Sequence, residues 1–86
     1  MNTTTPTTPD LAAAQKRLMQ AYRWVCSYSA YYGEPTREMD EAQEEYTAAI
    51  EETANAAAAA GASEKTVQWI RECPWMAGRG QRIPLE

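Results

Sequence analysis

The chain has 86 residues, enough for one domain with a small core. Its net charge is −4, with 44 % apolar residues, no histidine, two cysteines and no phenylalanine. These totals exclude a Ser-His-Asp or Cys-His catalytic arrangement and a disulfide framework, and with no Cys-x-x-Cys motif they exclude a structural zinc set. They also weigh against a nucleic-acid binder, which usually presents a basic face.

Met1 to Thr8 is rich in threonine and proline and lacks apolar periodicity, so residues 1–8 read as a disordered N-terminal tail. No apolar run approaches membrane-spanning length and no charged-then-apolar leader pattern opens the chain. A cytoplasmic protein with reduced thiols and no membrane partner is expected. Leu85-Glu86 reads either as native sequence or as the start of a cloning scar.

A first helix is predicted from Thr8-Pro9-Asp10, with Thr8 as cap, Pro9 in the first turn and Asp10 at the positive end of the helix dipole. Leu11, Ala14, Leu18, Ala21, Val25, Tyr28 and Tyr32 recur at steps of three and four, which makes one apolar stripe. Gly33-Glu34-Pro35 should end the helix near Tyr32. A second helix is predicted over 36–60, with Met39, Ala42, Tyr46, Ala49, Thr53, Ala56 and Ala60 as its stripe and a solvated face of carboxylates between them. The short connection makes the two antiparallel neighbours. Facing residues should then have numbers summing to about 69, so Leu18 lies near Ile50 and the alanines at 12–14 meet those at 56–60.

The third predicted helix runs over 64–72. Gly61 suits the left-handed position past a helix end, and Ser63 suits the N-cap of the next helix. Val67, Trp69 and Ile70 should cover the hairpin, and Pro74 should stop the helix. The expected fold is therefore all-α: a long antiparallel helical hairpin plus a short third helix. The domain should span 9–76, with 77–86 a flexible C-terminal tail, containing Gly78 and Gly80, that either lies across the hairpin or hangs free.

Ala57, Gly61, Ser63, Thr66, Val67 and Ile70 carry a further pattern: a small residue, a turn glycine four residues on, then Ser-x-x-Thr-Val and an apolar residue. Over residues 56–71 this resembles a helix-turn-helix, with Ala62 where Val or Ile is more usual. The resemblance implies DNA binding, with Ser63, Lys65, Gln68 and Arg71 facing the groove or phosphates and Arg79 and Arg82 adding phosphate contacts. Read without it, the same residues make a plain corner that folds a third helix back onto two others. Charge is divided accordingly. Residues 1–61 hold nine acids and four bases, and residues 62–86 three acids and four bases.

Two binding surfaces stand out. Tyr22, Trp24, Tyr28, Tyr31 and Tyr32 crowd one half of the first helix, and Tyr and Trp are enriched at interface hot spots. The acidic face of the second helix, joined to Glu34, could rim them. The expected function is a small non-enzymatic protein-binding module, interacting or regulatory, whose partner is another protein or a second copy in a homodimer. DNA binding through residues 63–71 is the alternative. No metal site and no cofactor is expected, because the first helix offers only Asp10 to the carboxylates at 38–45. Cys26 reads as a small buried or half-buried apolar residue and Cys73 as incidental.

Overall fold

The computed structural model of the chain describes residues 9–29 and 37–85. The N-terminal tail, the break at 33–35, and Tyr31 and Tyr32 lie outside the described residues. Four helices follow in order: α1 (Pro9–Ser29), α2 (Arg37–Ala59), α3 (Glu64–Glu72) and α4 (Pro74–Gly78). Among the described residues there is no strand. The fold is all-α, built on the α1–α2 hairpin.

α1 and α2 run antiparallel, because numbers rise along one as they fall along the other. The Thr53 hydroxyl, which has the Ala49 carbonyl of its own helix at 2.7 Å, also lies 3.1 Å from the Ala14 carbonyl of α1, and the Tyr22 and Tyr46 rings lie 6.0 Å apart. The register is thus within about two positions of that expected, with Ala14 facing Thr53 rather than the alanines beyond it. The seam is narrow. Ala14, Ala21, Ala49, Ala54 and Ala57 are buried, with Leu18 filling the space between. Such small side chains let two backbones approach closely. Ala54 and Ala57 widen the buried stripe of α2, as suits a helix packed against both α1 and α3.

α2 ends in a Schellman turn. The Ala62 N–H donates to the Ala57 carbonyl at 2.9 Å and the Gly61 N–H to the Ala58 carbonyl at 3.1 Å. Gly61 has φ 100°, a conformation that a Cβ would strain. Two residues on, the Ser63 hydroxyl accepts from the Thr66 N–H at 3.2 Å and caps α3. Thr66 and Ile70, one turn apart, are buried, and Val67 and Trp69 pack half-buried against the core.

The C-terminal stretch departs from the sequence reading. Residues 77–85 are not a loose tail. Pro74 takes the first position of a fourth helix, where its missing N–H costs nothing. Gly78 brings α4 against Tyr22 so closely that a Cβ there would lie 2.9 Å from the Tyr22 Cγ. A second Schellman turn closes α4, with Gly80 at φ 95° and the Gln81 N–H donating to the Met76 carbonyl at 3.1 Å. Gln15 then reaches from α1 to donate to the Ala77 carbonyl at 3.1 Å and the Gln81 carbonyl at 2.8 Å. Ile83 is buried beyond it, and Leu85 packs on the core. The domain boundary expected at 76 therefore falls inside a packed region.

Candidate functional site

The continuous core reaches Ala21 on α1 and Tyr46 on α2. Toward the loop end of the hairpin, α1 and α2 continue as a two-helix arm. Ala42 is buried between them, and Val25, Tyr28 and Met39 are half-buried. Trp24 stands on this arm with 38 % of its surface exposed. Trp75, on α4, is 43 % exposed. A tryptophan exposed to this extent forgoes part of the free energy that full burial would give, on the order of 2 kcal/mol for a large apolar side chain.

The aromatic set named from sequence therefore divides. Tyr22 is half-buried and structural: its ring meets Tyr46 at a 46° tilt, backs onto Gly78, and its hydroxyl accepts from Arg79 Nε at 3.4 Å. Trp24 is open, and Tyr28 lies half-buried one turn further along. Tyr31 and Tyr32 fall outside the described residues. Burial, with Tyr22 and Cys26 adding to it, pushes the Tyr46 phenol above its ordinary value.

The carboxylates of α2 also divide. Glu38, Asp40, Glu41 and Glu44 are exposed on the arm. Glu45 and Glu52, seven residues apart on one face, grip Arg17 of α1. Arg17 Nη2 donates to Glu45 Oε1 at 2.9 Å while Nε takes the other oxygen, and Nη1 takes Glu52. The hydrogen bonds from Arg17 hold the Glu45 carboxyl below the usual carboxylate range. Glu51 binds Arg71 through both oxygens at 3.2 Å. The expected solvated acidic face is thus cross-linked along its middle. Among the described carboxylates of α2, those at the arm end (Glu38, Asp40, Glu41 and Glu44) make no ion pair.

The residues expected to read DNA do not form one surface. Ser63 is committed to its cap. Arg71 is neutralised by Glu51 and also reaches the Asn55 side chain at 3.5 Å. Gln68 donates to Glu72 at 2.7 Å. Arg79 is turned to Tyr22. Lys65 and Arg82 instead converge with Trp69 on the other flank of α3, lining a groove of about 340 Å³ with Thr66, Gln81 and Pro84.

Among the described residues, no three His, Cys, Asp or Glu side chains are placed to hold a metal ion. Cys26 is exposed rather than buried. Cys73 is half-buried. No described helix is long and apolar enough to cross a membrane.

Sequence reading passed over three residues that organise this arrangement. Arg17 meets partners 28 and 35 positions away, and Gln15 partners 62 and 66 away, so no local spacing announces either. Thr53 stands in the apolar stripe as one more position, yet its fully buried hydroxyl sits between the Ala49 carbonyl of α2 and the Ala14 carbonyl of α1.

The chain matches no protein-family model, and neither the comparison with curated proteins nor that with solved structures returns a match.

Proposed function

We propose that this protein is a small non-enzymatic binding module that docks another protein, or a second copy of itself, on the arm of the α1–α2 hairpin. The observation that carries the reading is Trp24: a large aromatic, 38 % exposed, on a two-helix arm beyond the end of the continuous core. Trp is the residue most enriched among interface hot spots, because one side chain excludes much water at little rotamer cost. Tyr28 and Val25 extend the apolar patch along α1. Glu38, Asp40, Glu41 and Glu44 supply an acidic rim that favours a partner with basic residues. Tyr22 serves this surface from below by holding α4 in place.

A photo-crosslinker placed at position 24, with position 68 on α3 as the control, tests the reading in the native host. Crosslinks from 24 and none from 68 support docking on the arm. Crosslinks from 68 alone, or none from either in a protein that sediments as a monomer, overturn it.

Helix-turn-helix DNA binding is the second reading. What favours it is the corner itself, with Gly61 at φ 100° and Ser63 capping a nine-residue helix. Charge opposes it. Among the described side chains of α3, Glu64 and Glu72 offset Lys65 and Arg71, and Arg71 is already paired with Glu51. Binding to random duplex DNA that weakens steeply with salt would favour this second reading over the first.

A further inference from the structure

We propose that the groove between α3 and residues 81–84 binds a phosphate monoester carried on a flat ring, of which a nucleoside monophosphate is the type. The proposal does not depend on the reading of the hairpin arm, which lies elsewhere on the molecule.

Charge is sorted across α3. One flank, shared with α2, carries Glu64, Glu72 and the Arg71 that Glu51 neutralises. The other flank carries Lys65, and Arg82 faces it from the C-terminal segment, with no carboxylate among the lining residues. Neither cation makes an ion pair or a side-chain hydrogen bond to a described residue. In a chain of net charge −4, whose Arg17 and Arg71 are both taken by carboxylates, two such cations sharing one groove make a local anion site.

The site is held from both sides. Gln15 binds the Gln81 carbonyl at 2.8 Å and Ile83 is buried, so the backbone on either side of Arg82 is fixed to the core. Lys65 and Trp69 are one helical turn apart on α3, and α3 is anchored by the buried Thr66 and Ile70. Two cations match a phosphate monoester, which carries roughly −1.5 to −2 charges at neutral pH, better than they match a single carboxylate. The half-buried Trp69 and the ring of Pro84 supply an apolar wall on which a flat ring can lie. Gln81, also in the lining, carries an amide that can hydrogen-bond a ring edge. The groove falls within the size range of small-ligand sites, about 300–1,000 Å³.

The test is a titration of ¹⁵N-labelled full-length protein, following the Trp69 indole N–H, which is assigned with Trp69→Phe. The ligands are AMP, adenosine, inorganic phosphate and a 5′-phosphorylated thymidine tetranucleotide. Saturable shifts with AMP at the Trp69 indole and at the amides of Lys65, Gln81 and Arg82 are expected. Adenosine or phosphate alone should bind about tenfold more weakly. Lys65→Gln and Arg82→Gln should each weaken AMP by about tenfold while the remaining peaks stay in place, which shows the variants folded. Tighter binding of the tetranucleotide than of AMP would assign the site to a strand end, and the reverse to a free nucleotide; both support the shared chemistry. Shifts that stay linear into the millimolar range overturn the proposal. So does AMP affinity unchanged in both Gln variants, or phosphate binding as tightly as AMP.

Discussion

Gly78 sits where α4 crosses α1, and a Cβ there would come within 2.9 Å of Tyr22 Cγ and 3.0 Å of Tyr22 Cβ. Those atoms are close to the α1 backbone and cannot swing aside. Gly78→Ala should therefore destabilise the protein by about 1–3 kcal/mol through overpacking, even though alanine is the better helix former. A lowered urea midpoint with an unchanged slope is the expected result. A raised midpoint would mean that helix propensity outweighs the contact and that α4 is loosely held. Gly61 raises a different problem. Nothing lies within 4 Å of a Cβ built there, so packing does not demand glycine, but its φ of 100° does. Gly61→Val should cost about 1–2 kcal/mol from backbone strain alone, read by thermal unfolding. A midpoint equal to that of the parent protein would mean the corner tolerates a right-handed backbone.

At the scale of elements, the α1–α2 hairpin is clamped by Arg17 between Glu45 and Glu52. Glu45 has its folded pKa depressed below the unfolded value near 4.3. Its contribution is therefore fully present above that pH and is lost as pH falls through the folded pKa. Glu45→Gln should flatten the fall of the urea midpoint between about pH 5 and pH 2, and the pair is exposed enough for the change to be modest. An acid limb as steep in Glu45→Gln as in the parent would place the acid sensitivity elsewhere. Legibility in the sequence follows the same division. α3 was readable to the residue because its signals are local: Ser63 at the cap, Gly61 in the turn, Pro74 at the stop. α1 and α2 were readable because their stripes repeat at helical spacing. α4 was not, since five residues that open on a proline and end on a glycine have little helix propensity. Its order comes from Tyr22, Gln15 and Ile83 meeting it across the fold. The same limit applies to the candidate surfaces. Sequence placed Trp24 and Tyr22 in the same half of α1, but two residues apart on a helix they point different ways, and only the structure shows that α4 docks on Tyr22 and not on Trp24.

For the whole molecule, one end of the hairpin is covered by α3, α4 and the C-terminal segment, and among the described residues the other continues as α1 and α2 alone. On the proposed reading, the core carries stability while the arm carries recognition. The most direct measurement is a pair of numbers on one variant, Trp24→Ser: its urea midpoint and its affinity for the partner recovered by crosslinking from position 24, or for a second copy if the protein sediments as a dimer. Stability should change by less than about 1 kcal/mol, because Trp24 lies outside the continuous core, while association should weaken by about 2 kcal/mol or more, roughly thirtyfold. A loss of about 3 kcal/mol in stability, the size expected for truncating a core tryptophan, with association intact would contradict the account and make Trp24 part of the core.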